Sequence, residues 1–340
     1  MYALEKCWHP VAWSRELTNK PMAVTVLGKE LVAFRDTDGK ARVMDDRCLH
    51  KGVKLSRGRC SSIGIQCPYH GWEYDGSGKL ARIPSQLNGD KLPNKSVKTY
   101  RVMEQQETVW FCFSDEPYEP APLPWHYYER KDFFTTTFDM ACNYVPLLEN
   151  LVENTHARFV HDGLLRNSNL STQVNAVVRE TGRGIHSQTF GEKAKGSLLY
   201  RLFGDAEQEL DHTEEYITPN IIRIIFGQPG KIHIASQLVC VPVDANNTRV
   251  FFRVALQCRF ASLLLPLLKR MLVQGILTQD KGILEHEAAQ QADHAKPSAL
   301  STKSDLPAVW VGRLARAYAD HGPAAQDKTS LKQATVEYQL

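Results

Sequence analysis

The sequence lacks any long run of apolar residues. Its most apolar stretch, Ala261–Leu268, is interrupted by Pro266 and followed by Lys269 and Arg270, which leaves it far short of the roughly 20 residues that cross a bilayer as a helix. The first six residues, MYALEK, carry charges and no apolar segment of the signal-peptide kind. We therefore expect no export signal, no membrane span and a cytoplasmic location.

An excess of charge of either sign is also missing. The 41 basic and 38 acidic residues leave a formal net charge of +3 over 340 residues. This balance argues against nucleic acid as the main partner, because such partners select strongly basic surfaces. Hydrophobic residues make up 43% of the chain, enough to build sizeable cores. At roughly 150 residues per domain, the length predicts two domains.

The eight cysteines show no paired framework of the kind found in secreted domains. Two of them belong to a motif described next. The remaining six are expected to be buried, small apolar residues of a protein kept in a reducing compartment. These six residues are Cys7, Cys60, Cys112, Cys142, Cys240 and Cys258.

The most informative stretch contains four metal-binding side chains, Cys48, His50, Cys67 and His70. They form a Cys-x-His arm and a Cys-x-x-His arm, separated by sixteen residues. A [2Fe–2S] cluster of the Rieske type needs two thiolates on one iron and two imidazoles on the other. The alternative is a zinc site, but common zinc fingers place both cysteines in one arm and both histidines in the other. The alternation here favours the cluster.

Residues 1–118 are predicted to be all-β, with turns at Gly28-Lys29 and Asp38-Gly39 between short runs of β-forming residues. Asp115–Trp125 is rich in proline and predicts an extended linker. The stretch from Thr172 to Phe260 alternates like an antiparallel sheet. Residues 263–292 then change to a helical period, with Leu267, Met271, Gln274, Leu277 and Thr278 on one face. A short helix around Val311–Tyr318 and disorder after Pro323 are expected at the end.

A second candidate metal site lies on the predicted helix that begins at Asn143. Glu153 and His156 are three residues apart and share a helix face. His161 lies five residues further on, so both imidazoles reach one metal only if the helix ends or bends between them. A two-His-one-carboxylate Fe(II) site would use such a pair. The alternative is that these are ordinary surface or core histidines.

Together the two motifs resemble those of Rieske non-haem iron oxygenases, in their terminal oxygenase (alpha) component. The arm Cys67-Pro68-Tyr69-His70-Gly71-Trp72 matches the Rieske motif, without the extra cysteines that respiratory-chain members carry where this chain has Val53 and Tyr69. The resemblance is greatest to the vanillate, dicamba and methylxanthine demethylase group. It implies an α+β fold: an all-β Rieske [2Fe–2S] domain over residues 1–118 and a helix-grip type catalytic domain, a curved antiparallel sheet with flanking helices, over residues 119–340.

The resemblance also implies the site residues. Asn150, Glu153, His156 and His161 match the family pattern Asn-x-x-acid-x-x-His-x4-His, with Glu153 where the family usually has Asp. The implied cofactors are a Rieske cluster on Cys48, His50, Cys67 and His70, and a mononuclear Fe(II) on His156, His161 and a carboxylate from a late helix. Asp280 is the preferred third ligand, with Glu285 and Glu287 as competitors.

The implied function is hydroxylation or oxidative demethylation of a small organic substrate with O2, driven by electrons from a ferredoxin or flavin reductase. The implied assembly is a head-to-tail homotrimer, in which Glu153 bridges His70 of one subunit and His156 of the next. Two other functions stay open: cis-dihydroxylation of an aromatic ring, and a Rieske electron carrier without oxygenase activity. Apolar residues of the sheet and late helix could line the pocket, and Arg223 and Arg253 could pair with a substrate carboxylate. These pocket candidates are Phe203, Ile224, Phe226, Ile234, Leu238, Phe252 and Leu277.

Overall fold

The structure, a computed structural model, divides into two compact units, Met1–Pro124 and Trp125–Leu340. It describes residues 2–340 except 88, 119–131, 163, 165–167, 170, 194–203, 206, 229, 259–260, 294–299 and 327–330. The predicted boundary between residues 118 and 119, and most of the predicted linker Asp115–Trp125, therefore lie outside the described residues.

The first unit is built from short antiparallel strands, as the sequence predicted. They form three sheets with the orders β1-β10-β9, β2-β3-β4 and β5-β6-β7-β8. Leu27 and Gly28, both with positive φ (51° and 75°), form the turn between β2 and β3, which is the geometry that two-residue hairpins favour. The strands are β1 His9–Trp13, β2 Met22–Val26, β3 Lys29–Arg35, β4 Ala41–Asp45, β5 Arg59–Cys60, β6 Gly64–Gln66, β7 Glu73–Asp75, β8 Leu80–Arg82, β9 Arg101–Gln105 and β10 Thr108–Cys112. Two 3₁₀ helices span Tyr2–Lys6 and Leu55–Arg57.

A compact core lies beneath the loops that carry the first motif. Phe34, Leu55 and Tyr74 are fully buried and belong to one cluster with Cys48 and Cys67. Because closely packed interiors resist displacement of their side chains, this core fixes the backbone from which both cysteines project.

The second unit is organised around one eight-stranded antiparallel sheet with the order β11-β17-β16-β15-β14-β13-β12-β18. Four adjacent strands, β14 to β17, place His212 opposite Phe226, Phe226 opposite Ile234, and Leu238 opposite Phe252. The strands are β11 Phe133–Met140, β12 Gln173–Thr181, β13 Gly184–Phe190, β14 Asp211–Ile217, β15 Ile221–Gly227, β16 His233–Pro242, β17 Thr248–Gln257 and β18 Gln333–Gln339. The predicted antiparallel sheet is thus confirmed.

Helices α1 and α2 carry the second motif, and a long helical segment follows the sheet. Asn143 caps α1, because its side chain accepts a hydrogen bond of 2.9 Å from the Val145 backbone. The helices are α1 Tyr144–Val152, α2 Ala157–Val160, α3 Ala261–Arg270, α4 Leu277–Asp293 and α5 Leu306–His321. Further 3₁₀ helices span Lys303–Asp305 and Gly322–Ala325, and a π-helix, Met271–Ile276, joins α3 to α4.

Two sequence expectations in the second unit were wrong. Part of the tail expected to be disordered after Pro323 forms β18, because backbone pairing with β12 gives it hydrogen-bond partners over its whole length. The predicted face of the late helix was also wrong, since Leu267 is 59% exposed and Gln274 and Thr278 are exposed. The π-helix inserts residues into the helical repeat, so a face counted at constant α period drifts out of register.

One helical stretch of the described chain, Ala261–Ala292, is long and apolar enough to cross a membrane by length and composition alone. Its second half carries Asp280, which is buried inside the unit and only 6% exposed. Core helices of globular proteins pass the same test of length and composition, so the absence of a membrane span stays a prediction.

Candidate metal centres

The first four predicted ligands lie in two loops of the first unit. Cys48 follows β4, and its loop is closed by hydrogen bonds of 2.9 Å from Cys48 N to Val53 O and from Gly52 N to Cys48 O. Cys67 begins the β6–β7 turn, where Cys67 N donates to Trp72 O at 2.8 Å. Both arms are therefore short loops anchored on strands, a placement that holds loop side chains in fixed positions.

The thiols lie inside and the imidazoles lie outside. Cys48 and Cys67 are 2% and 3% exposed, whereas His70 is exposed and His50 is half-buried. The rings of His50 and His70 have centroids 4.5 Å apart. The arrangement therefore offers one buried pair of sulfur ligands and one outer pair of nitrogen ligands, as a Rieske cluster requires.

Two aromatic residues support this site: Trp72, the last residue of the predicted arm, and Tyr74, which the sequence did not single out. Trp72 stacks on the His50 ring at 4.6 Å with an interplanar angle of 4°. The Tyr74 hydroxyl lies 3.2 Å from Cys48 Sγ and accepts a hydrogen bond of 3.1 Å from Leu49 N. Hydrogen bonds near cluster sulfurs tune the reduction potential, so Tyr74 is a candidate for that role.

The protonation states fit a metal-loaded site. Burial raises the pKa of the Cys67 thiol, so a thiolate there needs a nearby positive charge such as bound iron. Burial, together with the charges of His70 and Lys51, lowers the pKa of His50 and favours its neutral, ligating form. His50 Nδ1 is buried without a hydrogen-bond partner among the described residues. A metal bound to this nitrogen would take the place of the missing hydrogen bond.

The second pair of histidines lies at the two ends of α2. Helix α1 ends at Val152, because Glu153 has an extended backbone (φ −101°, ψ 129°). His156 is then the N-cap and His161 the C-cap of the four-residue α2. Their rings meet edge to face with centroids 5.4 Å apart. The predicted single helix is thus divided into α1 and α2, and the two imidazoles meet because α2 ends at His161. The predicted shared helix face of Glu153 and His156 was wrong, since Glu153 lies in the extended link between the two helices.

Asp280 completes the group from α4. Its Oδ1 lies 3.1 Å from His161 Nε2 and 3.6 Å from His156 Nε2. Potential ligand atoms of His156, His161 and Asp280 all lie within 4.8 Å of one another. His161 and Asp280 are buried. Two imidazoles and one carboxylate around a common point match the donor set of a non-haem Fe(II) with open positions.

Each imidazole is oriented through its other nitrogen. His156 Nδ1 lies 3.1 Å from Glu153 Oε2, and His161 Nδ1 lies 3.0 Å from Gln279 Oε1. When Nδ1–H donates to such an oxygen, the Nε2 lone pair faces the metal position. Gln279 precedes Asp280 in the sequence and was not predicted. Burial opposes the negative charge of Glu153, but hydrogen bonds from His156 and Thr155 still lower the pKa of this carboxyl.

The remaining carboxylate candidates lie in other contacts. Glu285 accepts a hydrogen bond of 2.8 Å from Ala141 N, and Glu287 accepts one of 2.7 Å from Gln291. Asn150 lines the cavity beside the histidines, and its Oδ1 is buried without a hydrogen-bond partner among the described residues. The structure therefore brings Asp280, and neither Glu285 nor Glu287, to the two histidines.

A cavity of about 150 Å³ opens onto His156, His161 and Asp280. Six of the seven predicted apolar pocket residues line it, and Phe203 lies outside the described residues. These six are Ile224, Phe226, Ile234, Leu238, Phe252 and Leu277. Arg223 and Arg253 are not among the lining residues: Arg223 bonds Gln237 at 2.9 Å, and Arg253 packs over the Phe133 ring at 3.8 Å.

Two polar residues of β14, His212 and Glu214, also line the cavity and were not predicted. His212 Nδ1 lies 2.6 Å from Glu192 Oε2, and His212 Nε2 lies 2.6 Å from Glu214 Oε1. Burial alone would lower the pKa of His212, but the Glu214 and Glu192 carboxylates raise it to about 9. The alternation of a strand, which sends residues 212 and 214 to one face, was the signal available in the sequence.

Comparison with known families gives two matches along the chain. Residues 7–111 match the Rieske [2Fe-2S] domain family. Residues 140–320 match the family described as vanillate O-demethylase oxygenase C-terminal domain.

Curated relatives share part of their length with this chain. It is 33% identical to Protein TIC 55, chloroplastic, of Arabidopsis thaliana over 259 residues, which are 72% of this chain and 46% of that protein. It is 28% identical to the chloroacetanilide N-alkylformylase oxygenase component of Rhizorhabdus wittichii over 217 residues, which are 62% of this chain and 61% of that protein. The chain thus spans between about half and three fifths of these relatives.

Solved structures share the fold over nearly the whole chain. Dicamba monooxygenase bound to dicamba superposes with a TM-score of 0.80 at 22% identity, covering 94% of this chain and 99% of that one. The Pseudomonas putida CBB5 NdmA QL mutant with theobromine superposes with a TM-score of 0.73 at 20% identity, covering 97% and 98%. At these identities the likeness establishes the fold.

Proposed function

We propose that this chain, which belongs to the Rieske non-haem iron oxygenase family with a vanillate O-demethylase-type C-terminal domain, acts as a terminal oxygenase. It would use O2 and electrons from a ferredoxin or flavin reductase to hydroxylate or oxidatively demethylate a small organic substrate. The observation that carries the proposal is the convergence of His156, His161 and Asp280 at the wall of an apolar cavity.

The two sites would divide the work. Cys48, His50, Cys67 and His70 would hold a [2Fe–2S] cluster that supplies single electrons, and His156, His161 and Asp280 would hold a ferrous ion that activates O2. The chain's own part is to hold these groups and to shape the space beside them. Glu153 and Gln279 fix the two imidazole rings through their Nδ1 atoms. The apolar cavity walls bind the substrate skeleton and exclude bulk water from the reaction.

The first test counts metals and then oxygen atoms. Purified protein should contain the two irons and two acid-labile sulfides of a cluster plus one further iron per chain. A screen of small aromatic and N- or O-methyl compounds for O2 uptake would find a substrate, and labelled O2 should leave one labelled oxygen in the hydroxylated product. Two irons per chain would instead indicate an electron carrier, and two labelled oxygens would indicate cis-dihydroxylation.

The electron route is proposed to run between subunits of a head-to-tail homotrimer, from His70 of one chain through Glu153 to His156 of the next. What supports it is the position of Glu153, whose Oε2 already contacts His156 Nδ1 at 3.1 Å. Heterologous contacts of this kind close into a ring.

Glu153→Gln tests the charge on this route. The amide oxygen can still accept from His156, so both metal sites should stay loaded while turnover falls by about 10- to 100-fold. Cluster oxidation in a single turnover, followed by rapid-mixing absorbance, measures the loss. Glu153→Asp, which carries the residue usual in the family, should restore more of the rate than Glu153→Gln. If Glu153→Gln oxidises substrate at the parental rate, Glu153 has no part in the transfer.

Location within the cell remains a proposal as well. The relatives include both chloroplast proteins and oxygenase components of bacteria. A cytoplasmic location is the one we propose for this chain, because reduced cysteines and a reductase partner fit that compartment.

A further inference from the structure

The cavity beside the metal ligands contains a second polar group that the proposed reaction does not use. We name Glu192, His212 and Glu214 the acidic triad. All three side chains are buried, with relative exposures of 3%, 4% and 1%. His212 joins the two carboxylates, each at 2.6 Å. His212 and Glu214 line the cavity.

The charge of His212 is balanced inside the triad. With its pKa raised to about 9, His212 is a cation at neutral pH, and it lies between the side chains of Glu192 and Glu214. Buried charges persist in proteins only when they are paired and hydrogen-bonded. The imidazolium satisfies Glu192 Oε2 and Glu214 Oε1.

The two carboxylate oxygens of Glu214 differ in their hydrogen bonding. Its Oε1 accepts from His212 and, at 2.8 Å, from Asn154 Nδ2. Its Oε2 is buried and has no hydrogen-bond partner among the described residues. Burying a carboxylate oxygen without a hydrogen-bond donor destabilises the protein by the free energy needed to remove water from that oxygen. A donor supplied from the cavity would recover part of this free energy.

Apart from the proposed iron, the described cavity lining offers an anionic substrate no cation other than His212, which is already held between Glu192 and Glu214. Neither lysine nor arginine is among the described lining residues. A substrate carboxylate placed beside Glu214 would meet a like charge in a medium of low polarity, which is strongly unfavourable.

We infer that Glu214 Oε2 accepts a hydrogen bond from the substrate, and that this enzyme selects small, mostly apolar molecules carrying an N–H or O–H donor and rejects carboxylates. The cavity of about 150 Å³ is comparable with engineered apolar cavities that bind one aromatic ring. The inference rests on the proposed function only in taking this cavity as the substrate site. It makes Glu214 a specificity-determining residue of a site whose remaining described walls are largely apolar.

The test measures binding and not turnover. Indole and benzofuran have nearly the same shape, but only indole carries an N–H donor. Their dissociation constants for the anaerobic, iron-loaded protein can be compared by isothermal titration calorimetry, with benzoate as the anionic probe. Because a hydrogen bond to a charged group contributes strongly, indole should bind at least about tenfold more tightly than benzofuran.

In the variant Glu214→Gln an amide nitrogen takes the place of Oε2, and this nitrogen donates hydrogen bonds but cannot accept one. It should narrow the indole preference to about twofold or less and increase the affinity for benzoate. The control is Glu215→Gln, one residue along the same strand. Successive strand residues point to opposite faces, and Glu215 is 38% exposed in its side chain and pairs with Arg223 at 3.6 Å, so this variant should bind all three probes like the parent.

Two results would overturn the inference. One is equal binding of indole and benzofuran to the parent protein, as expected if a resident water satisfies Oε2; this comparison needs no variant to fold. The other is an indole preference that survives in Glu214→Gln. Failure of the proposed oxygenase function is separate, because it would show as missing iron or missing O2 uptake while the binding ratios remained.

Discussion

Asp280 is the residue on which the candidate mononuclear site depends most. It supplies the negative charge and the oxygen that two imidazoles alone lack, and its Oδ1 faces both Nε2 atoms. Asp280→Asn keeps the shape of the side chain and removes the charge. Because a charged carboxylate binds divalent iron more strongly than a neutral amide does, we expect the mononuclear iron to be lost while the cluster remains. Iron and acid-labile sulfide analysis of the purified variant measures both.

The matched control for Asp280→Asn is Glu287→Gln on the same helix. Glu287 is exposed and bonds Gln291, so its variant should keep the parental iron content. If Asp280→Asn kept one iron more than its two sulfides account for, Asp280 would not be a ligand, and Glu285 would be the next carboxylate to test.

Single residues were predictable where their partners are close in sequence. The two Cys/His arms and the His156–His161 pair form local patterns, and the structure brings each set together. Asp280 was identified only through family resemblance. It lies more than a hundred residues after His161 in the sequence, so no short spacing pattern connects it to the two histidines. Gln279, His212 and Glu214 were missed for a related reason: their roles arise from pairing across strands and helices, which depends on the fold.

Among the secondary-structure elements, the π-helix Met271–Ile276 has the largest influence on which side chains of the late helical segment reach the cavity. Leu272, Ile276 and Leu277 line the cavity together with Asp280, and the π-helix between α3 and α4 sets the direction of this group relative to α3. An inserted residue turns everything after it by about 100° relative to a continuous α-helix. Segments of π-helix are frequently found at functional sites, and here the segment aims Asp280 at the histidines.

Deleting Gln274 tests the π-helix directly. The side chain of Gln274 is exposed, so the deletion removes no core contact but allows the segment to close as a regular α-helix. Asp280 should then turn away from His156 and His161, and the mononuclear iron should be lost while far-ultraviolet circular dichroism keeps its helical signal. Gln274→Ala preserves the length of the segment and should keep the iron. Full iron content in the deletion variant would mean that the orientation of Asp280 does not depend on the π-helix.

The acidic triad joins β14 to the chain that follows β13, and it predicts a pH dependence of stability. The pKa of His212 is raised from its ordinary 6.5 to about 9 in the folded protein. Its contribution is therefore fully present below about pH 6.5 and is lost as the pH rises towards 9, with an upper size of about 3 kcal/mol. The Tm difference between the parent and His212→Gln should accordingly be largest near pH 6 and should shrink above pH 9. A difference that stays constant from pH 6 to 10 would contradict a protonated His212.

Strands whose own sequence alternates between apolar and polar residues were predicted correctly. A strand that is ordered mainly by pairing with another strand was not. The strands of the central sheet alternate clearly, and β12 to β17 appear where the sequence placed the sheet. The sequence predicts disorder after Pro323, where chain ends are often disordered, but residues 333–339 form β18. Val336 is the buried residue of this strand, so the strand has little apolar alternation to predict it. Its order comes from pairing with β12, which a reading of the local sequence does not capture.

At the scale of the whole molecule, the question is whether one chain is sufficient for turnover. The proposed route takes electrons from the cluster of one chain to the iron of its neighbour in a ring. Two variants separate the possibilities, because each removes one site from its own chain. His70→Ala removes an outer ligand of the cluster, and Asp280→Asn removes a ligand of the mononuclear iron. Each variant alone should be inactive under either route.

Mixed oligomers of the two variants then distinguish the routes. If the chains are produced together with different affinity tags and purified through both tags, every oligomer contains both kinds of chain. With transfer between neighbours in a three-membered ring that contains both kinds of chain, one of the three contacts joins an intact cluster to an intact iron site, so turnover should recover to about a third of the parental rate. With transfer inside each chain no turnover is possible, because every chain lacks one of its two sites. Separately purified variants mixed just before the assay provide the control and should remain inactive. Inactive mixed oligomers whose iron and sulfide contents match the two variants would therefore exclude the route between subunits.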